Sequence, residues 1–205
     1  MAEIIPFPAP TSKLGFKRVH KRAKPAEDPG QLQLFERPSA QILSLAGEPG
    51  WFDQALRSDE RGDAQAAELY EKAIETQDCV ADAYCNLGII ESQRGNTSKA
   101  FDCFTSSLTQ DPRHSEAHYN LGNLYFDVND LRLAQVHYEM AAKIDPGFAS
   151  VYFNLALVQA INHDLSGAVS TLIQYQSLVS RAEAQNADEL LLNLRRSLAA
   201  IKKAR

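Results

Sequence analysis

Long apolar runs are missing from this chain: nowhere do 18 uncharged apolar residues follow one another, so no membrane-spanning helix is expected. The opening stretch MAEIIPFPAP lacks a basic segment followed by an unbroken apolar run, which argues against a signal peptide. Cysteine is scarce. Cys79, Cys85 and Cys103 form no CxxC pair and are odd in number, which fits thiols kept reduced in a cytoplasm better than a disulfide framework. No GxxxxGK[ST] loop, no GxGxxG after a strand and no GxSxG elbow occurs, so nucleotide and serine hydrolysis lack their usual frames. The expectation is a cytoplasmic protein that is no enzyme and holds no cofactor or metal. Proline is nearly absent from the larger part of the chain: seven of nine (Pro6, Pro8, Pro10, Pro25, Pro29, Pro38 and Pro49) fall in the first 49 residues, and only Pro112 and Pro146 follow.

What is present is an ordinary folding composition. With 205 residues, 44% apolar and 23% charged, the chain has material for one domain and a tail. The net charge of −5 hides an asymmetry: +3 over residues 1–40, −13 over 41–194 and +5 over 195–205. An acidic middle repels polyanions, so any nucleic-acid contact would have to come through the basic ends. The proline-rich residues 1–47 sustain no apolar periodicity and are expected to be mostly disordered.

Pro112 and Pro146 stand 34 residues apart, and the chain repeats itself at that interval. Ala83–Pro112 aligns with Ala117–Pro146 and then with Val151–Ser180. Asn86, Asn120 and Asn154 coincide, as do Leu87, Leu121 and Leu155, then Gly88, Gly122 and Ala156, and further on Ala100, Ala134 and Ala168. Within each copy, apolar and small residues recur at three and four positions along two successive helices, divided by turns such as Gly95-Asn96 and Asn129-Asp130. Proline ends the second helix because it cannot continue the hydrogen-bond ladder.

These residues resemble the tetratricopeptide repeat. Residues 115–148 match its pattern almost fully; 81–114 depart at Glu91, where the tyrosine slot is polar, and 149–182 depart at Gln159, Tyr175 and Ser180. A divergent first copy over 48–80 carries Trp51, Ala55, Ala66, Tyr70 and Ala73, with one residue missing from the turn near Gly62-Asp63. The missing proline and the bulky Tyr175 predict that the last repeat helix runs on and packs against something other than a repeat. Asn186 with Glu189 reads as a capping box, and Leu190, Leu191, Leu194, Leu198 and Ile201 as the apolar stripe of a closing helix over 183–205. The resemblance implies an all-α, right-handed α-solenoid of about four repeats with a C-terminal cap.

It also implies that the first helix of each repeat lines a concave face. There Asn86, Asn120 and Asn154 form either a row of amides able to hold an extended peptide backbone or simply a helix-packing feature. Phe52, Leu56, Cys85, Ile89, Tyr119, Asn123, Phe126, Phe153, Leu157 and Ile161 should supply an apolar floor, and Asp59, Glu60, Asp82, Glu116 and Asp127 acidic groups. A protein or peptide partner with apolar anchors and basic flanks is expected. Chaperone-binding members grip a carboxylate with lysine and arginine; here Asp82 and Glu116 occupy comparable slots, so a chaperone tail is not. His114 and His118 have a zinc-compatible spacing, but one falls in an inter-repeat turn and the other in an aromatic slot, and both read as packed side chains.

Between Thr11 and Pro25 the tail carries Lys13, Lys17, Arg18, Lys21, Arg22 and Lys24 without an acid, interleaved with Phe16 and His20. Such a run suits nucleic acid, an anionic surface or the chain's own acidic groove. Gln31, Leu32, Leu34 and Phe35 in Gln31-Leu32-Gln33-Leu34-Phe35 resemble the short motif by which bacterial proteins dock on the replication sliding clamp; a sticky segment packing on the first repeat is the plainer reading. The main expectation is a non-catalytic adaptor that binds a partner segment in its groove, the alternative a DNA- or replication-associated factor recruited through its tail.

Overall fold

The computed structural model describes residues 15–20 and 49–204, and every regular element among them is an α-helix. The helices are α1 (Trp51–Glu60), α2 (Ala66–Glu75), α3 (Val80–Gln93), α4 (Thr97–Gln110), α5 (Ser115–Asp127), α6 (Leu131–Ile144), α7 (Ala149–Ile161), α8 (Leu165–Leu178) and α9 (Arg181–Ala204). α1 packs with α2, α3 with α4, α5 with α6 and α7 with α8, and each pair then touches the next in sequence. Short turns make each pair an antiparallel hairpin, and contact between successive hairpins makes the whole an α-solenoid. None of these helices is long and apolar enough to cross a membrane.

The hairpin turn is built the same way each time. Gly95, Asn129 and His163 adopt left-handed φ of 82°, 63° and 64°, and the next residue's N–H reaches back to the carbonyl of Glu91, Tyr125 or Gln159. This geometry closes one helix. The aspartate that follows opens the next: Asp130 accepts from Leu133 N at 3.0 Å and Asp164 from Gly167 N at 2.9 Å. At the corresponding place Asn96 instead donates to Glu91 at 2.8 Å, and Arg94 donates to the same carboxylate at 3.0 Å. That explains the polar residue in a tyrosine slot. Burial pulls the Glu91 carboxyl up, but the bonds from Asn96 and Arg94 outweigh it and hold it below its ordinary value.

The second helices stop where the sequence requires. Asp111 and Asp145, each preceding a proline, are extended at φ −136° and −126°, because the proline ring excludes the helical conformation from its predecessor. Within a hairpin the backbones meet at a glycine under a ring: a Cβ at Gly88 would lie 2.8 Å from Phe104, and one at Gly122 2.6 Å from Tyr138. In the fourth hairpin Ala156 replaces the glycine and Leu172 the ring, and both are buried in one cluster.

The end of the array differs from the sequence expectation. α8 does not run on; it stops at Leu178, and Val179 is extended. The capping box is formed by Ser180 and Glu183 rather than Asn186 and Glu189: Ser180 N and Oγ donate to the Glu183 carboxylate at 3.0 and 2.8 Å, and Glu183 N to Ser180 Oγ at 3.4 Å. α9 then covers the array. Ala187, Leu191 and Leu194 are buried against Ala156, Ala160, Ala168 and Leu172, whereas Ile201 at the far end of the predicted stripe is exposed.

Candidate functional site

The first helices α1, α3, α5 and α7 carry the predicted surface, and the chain itself lies along it. Residues 15–20, which the sequence assigned to a mostly disordered tail, run extended from α5 towards α1. Asn120 Oδ1 accepts from Lys17 N at 2.7 Å while its Nδ2 donates to Lys17 O at 2.9 Å. Asn86 repeats the pattern two residues on, accepting from Val19 N at 2.8 Å and donating to Val19 O at 2.9 Å. In an extended chain the N–H and C=O of alternate residues face one edge, and two residues advance about 6.6 Å. Helices packed about 8–10 Å apart can therefore each present one amide to every second residue.

Gly15 is held differently: its carbonyl accepts from Tyr119 Oη at 3.0 Å and from Asn123 Nδ2 at 3.1 Å. The third asparagine of the row does not reach the segment. Asn154 Nδ2 donates to Tyr119 Oη at 3.2 Å and Asn123 Oδ1 at 2.9 Å, and Tyr138 Oη donates to that same Oδ1 at 2.7 Å. Asn154 thus orients the two groups that hold Gly15. Burial raises the hydroxyl pKa of Tyr119 and Tyr138, which keeps both as neutral donors.

Side chains of the segment enter the floor. Val19 is 1% exposed and packs in one cluster with Cys85, Ile89, Ala117 and Leu121; the Phe16 ring stacks on Phe104, centroids 6.0 Å apart. Cys85 is a small apolar wall there, its Sγ accepting from Asn120 Nδ2 at 3.3 Å. At the α1 end, Arg18 Nη2 donates to Asp59 Oδ1 at 2.8 Å and Arg18 Nε lies 2.7 Å from Asp59 Oδ2; His20 sits 3.8 Å from Glu60. Asp59 is only 6% exposed, and the Tyr70 hydroxyl, whose pKa is raised by burial and by this carboxylate, donates to it at 3.4 Å.

Other predicted groove residues are placed elsewhere. Phe52 is fully buried with Tyr70, ring centroids 5.8 Å apart, and belongs to the core, with Leu56 packed beside it. Its neighbour Trp51, expected in the aromatic slot, is 37% exposed under Lys72. Asp82 joins repeats: His114 caps α5 by accepting from Ala117 N at 3.1 Å through Nδ1, so its Nε2 bears the proton and donates to Asp82 at 3.0 Å. Glu116 accepts from Ser115 Oγ at 2.8 Å. Phe153 packs on Tyr175 beside α9; Phe126 borders the third cluster; Leu157 and Ile161 are half-buried and Asp127 exposed. His118 lies with its Nδ1 3.0 Å from that of His137, and no group of three metal-ligating side chains forms among the described residues. Gln31, Leu32, Leu34 and Phe35 lie outside the described residues, as do Lys13, Lys21, Arg22 and Lys24.

Reasoning from sequence missed two features. Phe104, on a second helix, was not among the expected groove residues, yet one side of its ring receives Phe16. Asp59 and Arg18 are 41 positions apart; the acidic groove was one of three sites open to the basic run, but nothing in the sequence singled out this pair.

Comparison with known proteins fits this architecture. The family model of the tetratricopeptide repeat matches residues 81–114 and 115–148. Human tetratricopeptide repeat protein 6 is 30% identical over 81 residues, covering 40% of this chain and 16% of that protein. The chain therefore spans a small part of the curated relatives it matches. Among solved structures, the first tetratricopeptide domain of Spaghetti (RPAP3), bound to the HSP90 peptide SRMEEVD, superposes with a TM-score of 0.53 at 20% identity, over 58% of this chain and 93% of that one. MamA superposes with a TM-score of 0.55 at 19% identity, over 74% and 96%. These likenesses speak to fold. Two matched repeats, set in a row of helix hairpins with a glycine under a ring at each matched crossing, make residues 81–148 a pair of tetratricopeptide repeats.

Proposed function

We propose that this chain is a protein-interaction adaptor whose concave surface holds an extended polypeptide by its backbone. The observation that carries the reading is the double pairing of Asn86 and Asn120 with the N–H and C=O of alternate residues. A primary amide offers one donor and one acceptor in the arrangement a peptide unit needs, so such a row holds an extended chain with little demand on its side chains. The Asp59 and Glu60 carboxylates at one end favour a partner with basic groups. The Spaghetti domain is bound to SRMEEVD, a peptide rich in acids; the acidic rim here favours the opposite charge.

Replacing Asn86 and Asn120 together with alanine should change the set of proteins that co-purify with the full chain while circular dichroism stays helical. An unchanged set from a folded double variant would remove the groove from the function.

A further inference from the structure

We infer that residues 15–20 are an internal ligand, and that the groove's external partner is an extended segment of the same chemistry: an aromatic residue, any residue, an arginine and a β-branched aliphatic in succession. This rests on the groove reading above and adds to it the identity of the occupant.

Each position of the bound segment states its own requirement. Lys17 contributes only backbone to Asn120 and its side chain is exposed, so its identity is free. Phe16 covers Phe104 and is half-buried; a flat ring fits and a charge does not. Val19 fills a space walled by Cys85, Ile89 and Leu121, where a short branched side chain is accommodated in an extended backbone. Arg18 donates from Nη2 to one oxygen of Asp59 and brings Nε within ion-pair distance of the other, so a charged group at this position faces a buried carboxylate. Any segment that covers Asp59 without supplying a cation buries an unpaired carboxylate, so the groove selects against neutral peptides as well as for this one. His20 is largely exposed near Glu60 and adds little.

A segment joined to its own site competes at an effective concentration on the order of millimolar. A free partner of equal intrinsic affinity is therefore held off until it exceeds that level or until the internal segment is withdrawn. The external partner must bind better, through more groove, or arrive when the tail is engaged elsewhere.

The test uses full-length chain and a fluorescein-labelled peptide, KLGFKRVHKR, identical to residues 13–22. Two release variants, Val19→Asp and Arg18→Glu, are checked for retained helicity so that a folding defect in one does not decide the outcome. Fluorescence anisotropy should show the peptide binding at least about tenfold more tightly to the release variants than to the parent chain. A peptide with alanine in place of the arginine that corresponds to Arg18 should bind about 30-fold or more weakly. Adding Asn86→Ala and Asn120→Ala to a release variant should abolish binding. Equal binding by parent and release variants overturns the inference, as does indifference to the arginine. A concentration-dependent dimer of the parent chain that Val19→Asp dissolves overturns it too, by making a second copy the occupant. If the peptide binds no form while the asparagine double variant still changes the co-purified proteins, the inference falls and the groove reading stands; if neither responds, both fall.

Discussion

At the scale of single residues the repeat is governed by what cannot be larger. The Cβ that Gly122 lacks would sit 2.6 Å from the Tyr138 ring, inside any tolerable contact. Gly122→Ala should therefore destabilise by about 1–3 kcal/mol through overpacking, seen as a lower midpoint in urea with an unchanged slope. The same change at Gly95, where nothing lies within 4 Å, would act only through its left-handed φ of 82°. His118 and His137 set a second prediction. Burial, and then the neighbouring His118, push the His137 pKa down to about 4; burial also lowers His118. Both depressions mean that the unfolded chain binds protons before the folded one. Their contribution is present above about pH 6.5, the ordinary histidine value, and is lost as pH falls towards 4. Melting temperature should fall across that interval, and His137→Gln should flatten part of the decline.

At the scale of the helix, boundaries were legible wherever one backbone rule decided them. Proline fixed the ends of α4 and α6, and the left-handed turn positions recurred at the 34-residue interval even where His163 replaced glycine or asparagine. The end of α8 was not legible by proline, because a two-residue break with a Ser180–Glu183 box does that work in its place. The reading of Asn186 and Glu189 as the box failed because the same spacing occurs twice in succession, and only packing decides which one begins α9. That helix closes the array through few side chains. Leu194 is almost fully buried against residues of α7 and α8, so Leu194→Ala should cost about 2–5 kcal/mol, measured by denaturant unfolding. Leu192, exposed on the opposite side, should tolerate the same change within about 0.5 kcal/mol.

At the scale of the whole molecule, the sequence disclosed the solenoid and the row of asparagines but not what each asparagine does. A repeat aligns positions, and aligned positions need not have equal surroundings. Asn86 and Asn120 reach outward because an extended segment lies against them, whereas Asn154 turns inward to Tyr119 and Asn123. The basic run suited nucleic acid, an anionic surface or the chain's own acidic groove equally well by charge; the contact between Arg18 and Asp59 selects the last. Phe52 and Asp82 were misplaced for a related reason, since helical spacing gives a face and not the neighbour that covers it.

The asparagine contacts also cross hairpin boundaries. Asn86 donates to Tyr70 of the preceding hairpin as well as to Val19, Asn120 to Cys85 as well as to Lys17, and Asn154 to Tyr119. The extended segment is thus a lace drawn through two eyelets, Asn86 and Asn120, that each grip two hairpins. Because Asn86 and Asn120 each bond to the preceding hairpin as well as to the segment, the occupant meets side chains that are already fixed at the joints between hairpins, and it finds its amides aimed before it arrives.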